Sequence, residues 1–94
     1  MSCTLIHQPA MAGLSVLALA GSVDGESLPE IDRFIRNSRK AHLKIAIDLS
    51  DVTLLDRAAA QFFARLRSQG VALLNCPVYI EPWISREAKY EKIS

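Results

Sequence analysis

Net charge, cysteine and long apolar runs are all scarce in this 94-residue chain, and each shortage removes a class of function. Eleven Lys and Arg stand against ten Asp and Glu, a formal charge of +1, so the broad cationic surface of a nucleic-acid binder is not expected. Two cysteines, Cys3 and Cys76, form at most one bridge, and the four-ligand spacings of structural zinc are missing. The expectation is a reducing, cytoplasmic setting with no metal and no cofactor. The apolar stretch at residues 10–23 is shorter than the roughly 20 residues that a membrane-spanning helix needs, and Ser15 and Gly21 dilute it. No Lys or Arg precedes Arg33, so the basic start of a secretory signal is absent and no processing is expected. With 50% hydrophobic and 22% charged residues, the composition fits one globular domain over residues 1–94 and argues against disorder.

What is present is a strand and helix alternation. Three short apolar runs, Leu14-Ser15-Val16-Leu17-Ala18-Leu19-Ala20, Ile45-Ala46-Ile47-Asp48-Leu49 and Val71-Ala72-Leu73-Leu74, read as strands buried on both faces. A weaker segment at residues 4–8, turned back at 9–13, reads as the outer arm of an edge hairpin. Ser27-Leu28-Pro29-Glu30 has the form of a capping box, and Leu28, Ile31, Phe34 and Ile35 behind it share one helical face. A second helix is predicted from an N-cap at Asp56 to a C′ residue at Gly70, with Ala59, Phe62, Phe63 and Leu66 inward and Arg65, Arg67 and Gln69 toward water. Glu81-Pro82-Trp83-Ile84 opens a third helix, with Pro82 in its first turn. Strands alternating with helices imply crossovers and a mostly parallel four-stranded α/β sheet with an N-terminal edge hairpin.

Ligand sites in such sheets lie beyond the carboxyl ends of the parallel strands, which directs attention to residues 48–56. That segment reads as a loop with three carboxylates, Asp48, Asp51 and Asp56, but holds no His, Lys or Cys to complete an acid-base pair. The plainer role is local: Asp56 caps the helix, while Asp48, Ser50 and Asp51 close a turn on backbone groups.

The stretch Leu19-Ala20-Gly21-Ser22-Val23-Asp24, followed by a helix and then Ile45-Ala46-Ile47-Asp48-Leu49-Ser50-Asp51-Val52-Thr53-Leu54-Leu55-Asp56, resembles the STAS domain, the family named for sulfate transporters and anti-sigma factor antagonists. The likeness spans residues 14–76. It implies a STAS-like fold with helices packed largely on one side of the sheet. For regulatory members it also implies partner switching: the domain binds an anti-sigma factor or serine kinase-like regulator, and phosphorylation at the second helix's start releases it. The family pattern there is Asp, two hydroxyl residues, then Gly, whereas this chain has Asp56-Arg57-Ala58-Ala59. Arg57 and Ala58 have no hydroxyl, so the switch, which works by adding roughly two negative charges, lacks its acceptor. Ser50 and Thr53 are substitute acceptors in sequence only, with Thr53 expected to turn inward. The face implied for partner binding is Asp24, Asp56, Arg57 and Ala58, in a non-enzymatic module with no catalytic residue.

Other features carry competing readings. Cys76, at a strand end before Pro77, is the seed of a thiol-dependent enzyme if a helix N-terminus lowers its pKa; as a small buried residue it is merely structural. A nucleotide- or anion-sensing role for residues 48–56 is a further alternative, without a Gly-rich phosphate loop to support it. Arg33, Arg36, Arg39, Lys40 and Lys44 gather five of the eleven basic residues, a cationic face suited to an anionic partner or to plain solvation. His7 and His42 lack ligand spacing and read as structural or surface residues. Tyr79, Ile80, Trp83 and Ile84 form either a helix packed on the sheet or an aromatic anchor for self-association, and Arg86, Glu87, Lys89, Glu91 and Lys92 suit an exposed helical end. A STAS domain commonly continues with a further strand and helix, so a homodimer is expected to cover what they would.

Overall fold

Leu17 and Leu19 on one strand and Ile47 and Leu49 on its neighbour, all fully buried, form the centre of the computed structural model, which describes residues 3–11 and 13–93, with side chains for 3–8 and 13–87. The chain runs β1 (Cys3–Met11), β2 (Leu14–Val23), α1 (Leu28–Lys40), β3 (Lys44–Leu55), α2 (Arg57–Ser68), β4 (Ala72–Leu74) and α3 (Glu81–Ile93). The strands lie in that order in one four-stranded sheet, β1 antiparallel to β2 and the other pairs parallel. The edge hairpin and the mostly parallel sheet expected from sequence are thus both present.

Alternation along the strands divides the sheet into two unlike faces. Ser15 and Leu17 stand level with Ile45 and Ile47 on the inner face, and the core there takes in Ile31, Phe34 and Ile35 of α1 and Ala59, Phe63 and Leu66 of α2. His7, level with Leu17 on β1, sets its ring edge-on to Phe34, with centroids 5.1 Å apart. On the outer face Ile6, Ala18, Asp48 and Leu74 make one row across all strands, with Ile6 50% and Leu74 38% exposed. Being buried on both faces therefore holds for Ala46 but fails for β4, which is only three residues long and lies at the sheet edge.

Residues 48–56 are not a loop. β3 continues to Leu55 because Val52 and Leu55 still bury against the core, and the irregular register opposite Ala18 and Ala20 is absorbed where Asp48 Oδ1 accepts from Ser50 N–H at 2.9 Å. Thr53, expected to turn inward, is exposed. The capping box is also replaced. Ser27 adopts a helical conformation and makes no side-chain cap bond, while Asp24 Oδ1 accepts from the Glu26 and Ser27 amides and from the Ser27 hydroxyl. Helix ends follow local rules more closely. Gly70 stands at φ 92° after α2, with Val71 N–H reaching back to Leu66, and His42 fills the same left-handed position after α1, with Leu43 N–H reaching back to Ser38.

The third helix packs on α2 rather than across the sheet. Ile80 and Ile84 are fully buried, Arg67 near the end of α2 grips Glu81 with two bonds of 2.9 and 2.8 Å, and Arg57 at its start meets Glu87. The two helices therefore run antiparallel, and Arg67 does not face water as the sequence spacing predicts. Tyr79 is half exposed, yet its hydroxyl donates to the Val52 carbonyl at 2.9 Å, on the stretch of β3 beyond the reach of β4. Lys89, Glu91 and Lys92 of the anticipated charged end lie outside the residues with described side chains.

Candidate functional site

At the carboxyl ends of β2 and β3, residues far apart in sequence are tied into one corner. Asp56 N–H donates to the Val23 carbonyl at 3.1 Å, which seats the end of β3 beside that of β2. Asp56 Oδ1 accepts from Ala59 N–H at 2.8 Å, the N-cap bond of α2, and its Oδ2 accepts from Gly25 N–H at 3.0 Å, across the gap to the next loop. Asp24 folds that loop back on itself, as described above. Gly25 comes close enough that a Cβ placed there would sit 3.8 Å from the Cβ of Ala58. The four residues read from sequence as a partner face, Asp24, Asp56, Arg57 and Ala58, thus gather at one corner, with Arg57 and Ala58 exposed on the first turn of α2.

Arg57 is not simply a free charge. Its Nε–H donates to Glu87 Oε1 at 3.4 Å; the arginine side chain is 76% exposed and the glutamate 8%. Beside this pair a cavity of about 390 Å³ opens between the start of α2 and α3, with Leu55 and Ala60 in its lining and Trp83, Arg86 and Glu87 opposite. Sequence reading placed Arg86 and Glu87 in an exposed tail and missed them as a wall. The available signal was spacing: Ile80, Ile84 and Glu87 fall at i, i+4 and i+7 on one helical face.

Compared with known proteins, the chain matches no family model and no curated sequence.

The other nominated residues do not join the corner. Arg33, Arg36, Arg39 and Lys40 are exposed along α1, but Lys44 begins β3 and so is not part of a helical face. Arg36 pairs with Asp32 at 2.8 Å and Arg39 donates to Gln69 at 2.7 Å. Arg39 and Lys40 close α1, and Arg65 and Arg67 close α2, where the partial negative charge of a helix C-terminus favours cations. The basic cluster therefore has a local electrostatic reason and lies toward the opposite end of the strands from Asp56. The three carboxylates of residues 48–56 do not converge either: Asp48 is turned to its own backbone at Ser50, which holds its carboxyl below the usual range, and Asp56 serves the helix. Among the described residues no group of His, Cys, Asp or Glu is arranged to hold a metal ion. No helix there is long and apolar enough to cross a membrane.

The lowered pKa that a thiol-dependent reading of Cys76 needs is not found. Burial, followed by the neighbouring Glu81 carboxylate, pushes its thiol up to about 11 instead of lowering it. The helix that was to activate it begins only at Glu81 and presents an acid to the sulfur. At neutral pH this thiol is protonated and a poor nucleophile.

Proposed function

We propose that this chain is a non-enzymatic regulatory interaction module, STAS-like in fold and similar to anti-sigma factor antagonists, that binds a protein partner in the cytoplasm without a serine phosphorylation switch. The supporting observation is the bond from Gly25 N–H to Asp56 Oδ2, which joins two loops 31 residues apart into one exposed corner. Both carboxylate oxygens of Asp56 are engaged by backbone amides, so the corner offers shape and Arg57's charge rather than an acid or base. An anti-sigma factor or a serine kinase-like regulator is the partner class that the STAS resemblance implies. With Arg57 and Ala58 at the usual acceptor positions, binding is constitutive.

The test is capture from the native lysate with immobilised wild type and with Ala58→Arg, which fills the close-approach surface at an exposed helix position. A protein retained by wild type and lost by the variant, at unchanged melting temperature, supports the reading; equal capture by both refutes it. Phosphate found on Ser50 or Thr53 after incubation with a cognate kinase would remove the constitutive part. The same proposal includes a homodimer closing the outer sheet face, where Ile6 and Leu74 lie exposed in one row with Ala18. Sedimentation equilibrium that gives a monomer at all concentrations would exclude it.

A further inference from the structure

We infer that the cavity between α2 and α3 is a binding site for a carboxylate carried on an apolar stem. The site shares Asp56 and Arg57 with the proposed partner face but does not depend on a protein being the occupant.

The lining holds two carboxylates, Asp56 and Glu87, and two guanidinium groups, Arg57 and Arg86, so its formal charge is balanced. Their availability is not balanced. Asp56 accepts from Ala59 and Gly25 amides through its two oxygens, and Glu87, almost wholly buried, accepts from Arg57 Nε. Arg57 uses one nitrogen in that bond and keeps its remaining N–H donors on an exposed side chain. Arg86 is exposed and has no hydrogen-bond or ion-pair partner among the described residues. Acceptor capacity is left on Glu87 Oε2, which bonds to no described residue, and on the second lone pairs of the Asp56 oxygens, but the N–H donors left on Arg57 and Arg86 outnumber it and sit on planar groups whose geometry matches a carboxylate in two-point contact.

The rest of the lining is apolar. Leu55 and Ala60 are buried, and Trp83 is 39% exposed with its large aromatic surface bordering the space. A fully hydrated anion such as inorganic phosphate makes no use of such walls. A volume of about 390 Å³ lies in the range of small-molecule pockets and admits an aromatic or short aliphatic acid. The same chemistry is presented by an acidic residue beside an aromatic one on a protein surface, so the occupant has two sources to be told apart.

Trp83 is the sole tryptophan of the chain, so its fluorescence reports on the cavity without labelling. The experiment titrates the intact protein with benzoate, with inorganic phosphate and with a blocked Glu-Phe dipeptide amide, exciting the indole selectively. Saturable emission changes with benzoate or the dipeptide, weakened about tenfold in Arg86→Gln as expected for loss of a charged hydrogen bond, support the site. The distant Arg36→Gln should leave the titration unchanged and serves as the control for general anion binding. Benzoate saturating at the lower concentration identifies a free small acid, and the dipeptide doing so identifies a protein side chain. The inference fails if nothing saturates, if phosphate binds as well as benzoate, or if Arg86→Gln has no effect. Because the titration uses no partner, such a failure leaves the Ala58→Arg capture result standing, and failed capture leaves this site standing.

Discussion

Three residues set the local terms of this structure. Asp56 satisfies an amide of α2 and an amide of the neighbouring loop with one carboxylate, so Asp56→Ala loses a helix cap and a loop tie together; a urea denaturation midpoint corresponding to a loss of about 2 kcal/mol is expected. His42 occupies a left-handed conformation, φ 58°, after α1 that glycine adopts without steric strain. His42→Gly should therefore raise stability by roughly 0.5 to 1 kcal/mol in the same assay, part of the gain being offset by the freer unfolded chain. Cys76, with its thiol pushed up to about 11, should react with a disulfide reagent far more slowly at pH 7 than free cysteine, at a rate climbing about tenfold per pH unit until that value is neared. Reaction as fast as free cysteine at pH 7 would contradict the burial argument and reopen thiol chemistry. Asp56 and Gly70 were legible in the sequence because capping is decided within one helical turn. Ser27 was misread because Asp24, three residues earlier, accepts from the Ser27 amide that Glu30 would have taken and from the Ser27 hydroxyl as well, a competition that a motif of four residues does not reveal.

At the scale of elements, α3 depends on two acid-arginine contacts to α2, and the stronger one has a pH signature. The Arg67 guanidinium holds the Glu81 carboxyl down at about 2, below the ~4.3 of an unfolded chain. A carboxyl depressed in the folded state contributes stability above its unfolded pKa and loses it as pH falls, here through the window from about 4.5 to about 2. The pair is more than one-third exposed, so screening keeps its worth near 1 kcal/mol or less. In Glu81→Gln, thermal melts at pH 7 should show that loss, and the fall in melting temperature between pH 4.5 and pH 2 should become shallower. The antiparallel course of α3 was invisible in the sequence, since Arg67 and Glu81 look like surface charges until Ile80 and Ile84 fix which side of the helix is buried. β3 was cut short for a related reason: Asp48, Ser50 and Asp51 have turn chemistry, and only the burial of Val52 and Leu55 carries the strand through them. Strand count, the mostly parallel pairing and the hairpin were legible because they depend on runs of apolar residues rather than on single contacts.

For the whole molecule, the near-zero net charge hides an arrangement along the strands, with the starts of α1 and α2, Asp24, Asp56 and the cavity toward one end and the basic last turns of α1 and α2 toward the other. Stability is unevenly shared as well. β2 and β3 sit inside the sheet with neighbours on both sides, whereas α3 joins through side chains of α2 and two buried isoleucines. Local opening should follow that division. In amide hydrogen exchange the amides of α3 are expected to exchange at a lower free energy than those of β2 and β3, and equal protection throughout would mean that the chain opens only as one unit. The antiparallel contact of α3 with α2 thereby acquires a meaning in time. Trp83, Arg86 and Glu87 all travel with α3, so the cavity exists only while that helix is docked. An occupant held against Trp83 would bind only the docked form, slowing exchange along α3 in proportion to its concentration and leaving opening events of the inner strands that keep α3 docked at the rate they had before.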